Sequence, residues 1–303
     1  MNQKLALFLT IDVGPAGATL GEGHTDSGEW TRTADGLEIL SDIFRSTEDI
    51  FGLKIAPTWF FRADRLIAAQ FGDRFSIFKK FYDFVHRMIL QGHEVGWMPQ
   101  VYSSLQHIMI DYEDLSITHG VLVKEGIYPR SVRMGDCFHD NTTMKNLNDL
   151  KIQFDSSAVP GRIKEDSGWR MNWMGTPEEA YYPSLKDYRK PGIPHLNILE
   201  VPISVLPIKA PYDSAPLLRY LNPCMYRGFL WQNLPRLINS NSYLICILHP
   251  DEVVPIRGGI GHPLVAYSID ELRFNLHQLI KLSGIYGRTV TFHTIEEFNS
   301  VMG

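Results

Sequence analysis

Leu5-Ala-Leu-Phe-Leu-Thr-Ile-Asp-Val-Gly-Pro15 is the stretch whose reading decides the fold. The unbroken apolar run from Leu5 to Leu9 predicts a strand buried on both faces, as the strands of parallel sheets are. Gly14-Pro15 must stop that strand, so Asp12 emerges at its C-terminal end. Barrels and open α/β sheets place their chemistry at that end of a parallel strand.

Outward from this strand, apolar runs alternate with helical patterns. Further strands are predicted at Ala56–Phe61, Gly92–Met98, Ser131–Met134, Ile152–Asp155, Asn197–Pro202, Tyr243–Leu248 and Thr289–Phe292. Helices are predicted over Ala34–Phe51, Phe71–Leu90, Asp111–Glu125, Asn141–Leu150 and from Ser268 to about Leu282. Ser268-Ile-Asp-Glu271 reads as a capping box, with Gly284 as the stop of its helix. Strands alternating with helices call for βαβ units, and seven or eight of them in one chain favour a barrel. We expect an α/β fold, a distorted (β/α)7-8 TIM-like barrel forming one domain over residues 1–303. The segment 156–197 has little regular pattern and holds Trp169, Trp173 and Tyr181. A loop of that length is expected to have a task. Its aromatic rings would suit the apolar faces of sugars as substrate-binding platforms, or else form a small core of their own.

The 303 residues are 44% hydrophobic and 21% charged, with a net charge of −5 and no basic cluster. That balance argues against nucleic acid and anionic membrane surfaces as partners. No run approaches the about 20 apolar residues of a membrane span. The apolar run after Lys4 is too short for a signal-peptide core, so a cytoplasmic location is expected. Cys137, Cys224 and Cys246 show neither paired nor metal-type spacing, and Cys246 reads as a small core residue.

Five short motifs in order resemble those of the polysaccharide deacetylases of NodB-homology type, carbohydrate esterase family four. Thr10-Ile-Asp-Val-Gly-Pro15 is similar to a motif that reads Thr-Phe-Asp-Asp-Gly-Pro. Gly92-His-Glu-Val-Gly-Trp-Met98 resembles the Gly-His-Glu-Ile-Gly-Asn-His stretch. Arg133 with Asn141-Thr-Thr-Met-Lys-Asn-Leu147, Asp155-Ser-Ser157 and Leu248-His249-Pro250 resemble the remaining three. The resemblance implies metal-assisted hydrolysis of an N-acetyl group on a carbohydrate, with Asp12 as general base, Arg133 orienting it and His249 as general acid. Its flavour points to the branch that serves bacterial surface polysaccharide such as O-antigen.

The metal ligands of that family are replaced. Val13 stands for its second Asp, and Met98 and Tyr102 (or Gln100, in the alternative spacing) stand for its two His. A catalytic zinc needs three N, O or S protein ligands, and a thioether prefers softer ions. No metal is therefore expected at the family position. A relocated divalent ion such as zinc would have to draw on Glu22, His24, Asp26, His93, Glu94, Asp136 or His139. Two functions stay open: a deacetylase of an acetamido sugar, or a catalytically inactive homologue that binds a carbohydrate or acts as a scaffold. The sequence fixes neither the sugar nor the oligomeric state.

Overall fold

The computed structural model describes residues 3–15, 27–100, 102–103, 108–109, 111–166, 169–256 and 261–303. Among the described residues eight strands pair in parallel, with helices between successive ones except β5 and β6: β1 (Gln3–Val13), β2 (Thr58–Arg62), β3 (Glu94–Met98), β4 (Ser131–Val132), β5 (Phe154–Asp155), β6 (Leu199–Glu200), β7 (Tyr243–Leu248) and β8 (Arg288–Phe292). The mixed α/β character read from the sequence is observed. Two compact units divide the chain, one from the described residues of 1–57 and 204–303, the other from those of 58–203.

In the first unit β1 lies between β7 and β8, parallel to both. Its two leading residues are exposed and the remaining nine are buried, as are all six of β7. The 25-residue helix Ser27–Phe51 and the 17-residue helix Ile269–Ile285 belong to this unit. Ser268 caps the second of these through the Glu271 amide, as its sequence predicts. That helix runs past Gly284, however, and the left-handed residue is Gly287, at φ 70°. A hairpin lies between 205 and 220. Val205–Ile208 pairs antiparallel with Leu217–Tyr220.

The second unit orders its strands β6-β5-β4-β3-β2, with parallel pairing throughout. The predicted helix over Phe71–Leu90 is a correction: three short helices, Arg65–Phe71, Ser76–Lys80 and Tyr82–Leu90, take its place. Gly72 at φ 83° closes the first in the left-handed conformation, a stop that the aromatic periodicity masked. The helix Asn141–Asp149 is capped by Asp140, whose carboxylate accepts from the Thr143 amide at 2.7 Å. The 156–197 segment contains the hairpin Ile163–Asp166 with Trp169–Asn172 and is otherwise irregular.

Layers of side chains fill one face of the β2–β4 sheet. Lowest is a polar layer, in which Glu94 accepts from Thr58 at 2.8 Å and from Ser131. Above it the Phe60 ring lies across β3 at Gly96, where a Cβ would come within 2.5 Å of the ring. The layer at the C-terminal ends holds Arg62 and Met98, which are register partners, and next to them Arg133.

Candidate active site

The parallel register sets Ile11 beside Leu248, so Asp12 and His249 leave neighbouring strand ends at one level. Thr10 donates to the Cys246 carbonyl at 2.6 Å and pins that register. Asp12 is 8% exposed, and its charge acts on the His249 ring. After His249 the chain enters a 3₁₀ turn, Pro250–Val253, in which Pro supplies a preset φ at the first position. The turn brings Glu252 back under His249. Glu252 Oε1 lies 3.1 Å from His249 Nδ1, and Oε2 accepts from the His249 amide at 3.0 Å. Asn222 Nδ2 sits 2.9 Å from both carboxylate oxygens.

The electrostatics follow. Burial works against a charged His249 ring, but the Glu252 carboxylate, through its charge and hydrogen bond, outweighs it. With Asp12 and Asp251 adding to this, the pKa is pushed up to about 10. Burial likewise works against the Glu252 carboxylate, yet His249 and Asn222 hold its pKa below the usual range. At neutral pH His249 is thus an imidazolium whose Nδ1–H is held by Glu252. Asp251, on the same turn, is raised by burial.

The helix Ser27–Phe51 holds this turn in place. Arg32 donates to the carbonyls of Asp251, Val254 and Pro255 at 3.0–3.1 Å. Gly36 meets the turn so closely that a Cβ would sit 1.9 Å from the Pro250 carbonyl oxygen. Thr33 caps the Gly14 carbonyl at 3.0 Å, tying the helix to the end of β1.

Arg133 belongs to the second unit. It is fully buried, with its guanidinium 4.9 Å over the Phe60 ring and Nη2 donating to Ser156 Oγ at 3.1 Å. The Asp155-Ser-Ser157 motif surrounds it: Ser157 accepts from the Met134 amide at 2.8 Å and donates to Asp155. Asp155 also lies 2.7 Å from His139 Nε2, both side chains being wholly buried. Burial drives the Glu200 carboxyl far up, with the Asp155 charge adding to it, so Glu200 keeps its proton, and its Oε1 accepts from the Ala158 amide at 2.9 Å.

Trp173 and Tyr181 are not platforms. Trp173 is 0% exposed and Tyr181 6%, so neither offers a ring face to a sugar. Trp173 donates to the Cys137 carbonyl at 2.8 Å and packs edge-on against Tyr188, while Tyr181 donates to the Tyr188 carbonyl at 2.9 Å. The loop aromatics build a core of their own. The Trp169 side chain lies outside the described residues.

The described residues among those proposed for a relocated metal are committed elsewhere. His93 Nδ1 takes the Trp59 indole proton at 3.1 Å, Glu94 serves the polar layer, and Asp136 accepts from Gln100 at 2.5 Å. Glu22, His24 and Asp26 lie outside the described residues, as does the Tyr102 side chain. Among the described residues, no three His, Cys, Asp or Glu converge to hold a metal ion. Val13 is fully buried, and Met98 is partnered by a guanidinium-bearing neighbour, Arg62. Neither chemistry fits a hydrolytic cation. Glu252 was the functional residue missed. Its spacing three residues after His249 is the capping-box pattern, and that signal could have found it.

A search for similar folds finds a protein assigned as a polysaccharide deacetylase from Mycobacterium smegmatis. It aligns over 99% of this chain and 90% of its own, with a TM-score of 0.54 and 14% identity. This chain has the polysaccharide-deacetylase fold. Weaker likenesses include a protein assigned as an O-antigen biosynthesis deacetylase from Bordetella bronchiseptica. It shows a TM-score of 0.40 and 13% identity over 80% of this chain and 71% of its own. A family 4 carbohydrate esterase from Streptomyces lividans shows a TM-score of 0.42 and 11% identity over 95% and 92%. No family model and no curated protein sequence matches the chain. Among the described residues no helix is long and apolar enough to cross a membrane.

Proposed function

We propose that the chain is a deacetylase-type protein acting on an acetamido sugar of bacterial surface polysaccharide, in the cytoplasm, on a (β/α) barrel scaffold. The observation that carries this reading is the pairing of Asp12 with an imidazolium that Glu252 keeps charged. An acid must hold a proton at working pH and a base must lack one. Asp12 takes the proton of the attacking water, and His249 delivers its Nε2 proton to the departing amine. Glu252 and Asn222 fix the ring so that Nε2 is the nitrogen left for that delivery. Acetate release from N-acetylglucosamine oligomers and nucleotide-linked acetamido sugars tests it. Wild type should release acetate, and Asp12→Asn and His249→Gln should abolish release while leaving the protein folded.

Val13 and Met98 favour a second reading, an inactive homologue that binds a carbohydrate. A site without an electrophile leaves the acyl oxygen unsupported, and that support is commonly the largest catalytic contribution. Saturable sugar binding with no acetate release from any of these substrates would select this second reading.

A further inference from the structure

We propose that Arg62 anchors a binding site for an oxyanion, a carboxylate or phosphate carried by the ligand. Arg62 ends β2, and its register partner on β3 is Met98. Register partners on parallel strands point to the same face. Phe60, two residues earlier on that face, carries the Arg133 guanidinium over its ring. By register, two arginines therefore stand on the strands to either side of Met98, at the C-terminal edge of one sheet.

The bonding of Arg62 is incomplete. Its side chain is 5% exposed, and Nε donates to Asp64 Oδ2 at 2.7 Å. Nη2 is buried and has no acceptor among the described residues. Asp64 cannot supply the missing one. Its Oδ1 takes the Ile67 amide at 2.8 Å as the cap of the next helix, and its Oδ2 already serves both Arg62 Nε and the Gln100 amide. Asp136, which meets Gln100 from the next loop, is bound by Gln100 Nε2. The charge of Arg62 is thus met by Asp64 through Nε, and the Nη2 donor is left over.

A guanidinium stays charged at any physiological pH, and its fork of N–H donors matches planar or tetrahedral oxyanions. A buried donor without a partner is a group a ligand oxygen can satisfy. The same fixed charge repels a divalent cation. Where the family resemblance would set a metal beside Met98, this chain sets a cation of its own, and the ligand it selects is an acidic one. The sugar part of that ligand rests on the deacetylase-type reading, but the oxyanion part does not.

Titration of the full chain with four probes separates the two: inorganic phosphate, glucose 1-phosphate, glucuronate and N-acetylglucosamine. Glucuronate or glucose 1-phosphate should bind at least tenfold more tightly than neutral N-acetylglucosamine, and whichever binds identifies the anionic group. Arg62→Met should remove that preference, with N-acetylglucosamine binding unchanged. Arg62→Lys, which keeps the charge and loses the fork, should retain only part of it. If Arg62→Met leaves Asp64 unpaired and does not fold, the double variant with Asp64→Asn takes its place. Phosphate binding without sugar binding would uphold the site and remove the carbohydrate reading. Anions that bind wild type no better than neutral sugar, or that bind Arg62→Met equally well, would overturn the proposal. So would an ordered water found as the only partner of Nη2.

Discussion

Replacing Glu252 by Gln removes one negative charge from beneath His249 while keeping the shape of the side chain. The wild-type ring titrates at about 10 because the charge and hydrogen bond of Glu252 outweigh burial. Without that carboxylate, burial acts against only Asp12 and Asp251, and the ring should fall toward the ordinary value near 6.5. Stability should fall as well. Glu252 takes two contacts from Asn222, one from the His249 amide and one from its ring. An amide turns its NH₂ toward a donor whichever way it is placed, which costs about 1–3 kcal/mol for a buried group. The pH dependence has a definite sign. A ring whose folded pKa exceeds its unfolded one adds stability below about 6.5, and that stability is lost as pH rises toward about 10. The gap between wild type and Glu252→Gln, read from urea unfolding, should therefore be wide at neutral pH and narrow above about 10. Ring-proton NMR of His249 gives the pKa directly. A wild-type His249 titrating near 6.5, or a Glu252→Gln ring that titrates where wild type does, would refute the reasoning.

Four further outcomes are expected. Gly36→Ala should destabilise the protein by about 1–3 kcal/mol in denaturant melts and lower any His249-dependent activity, because the new methyl meets the Pro250 carbonyl. Asp155→Asn should cost about 3–5 kcal/mol, since it breaks the buried contact with His139. Glu200→Gln should be far milder, since the wild-type carboxyl is already protonated and an amide oxygen can still accept from the Ala158 amide. Equal melting shifts for these last two would show that Glu200 is ionised. Tryptophan fluorescence should not change on saturation with N-acetylglucosamine oligomers through Trp173, which a Trp173→Phe comparison checks.

β1, β7 and the Ser268 cap were legible because each rests on a local pattern: an apolar run long enough for one strand, or a cap three residues from its partner. The break at Gly72 was not. Phe71, Phe75, Phe78 and Phe81 keep a helical rhythm across it, and only the backbone shows the left-handed turn. Gly284 and Gly287 are both glycines that could end the helix, and only the later one takes the left-handed conformation. Asp12 and His249 were singled out through motifs and lie at neighbouring strand ends, whereas the charge on His249 was hidden, because a charge depends on what the fold brings near. Trp173 misled for a similar reason: an aromatic-rich loop looks the same whether its rings face a ligand or each other.

The position of β1 between β7 and β8 also fixes when the site can exist. The Thr10–Cys246 bond closes over 236 residues, so Asp12 leaves the ribosome long before His249 is made. At about 5–20 residues per second, the interval is roughly 12–50 s. Throughout it β1, nine of whose eleven residues are buried in the finished unit, has neither β7 nor β8 beside it. Nascent chains halted before and after residue 249 would differ in their hold on cellular chaperones, and acid and base would meet only in the later one.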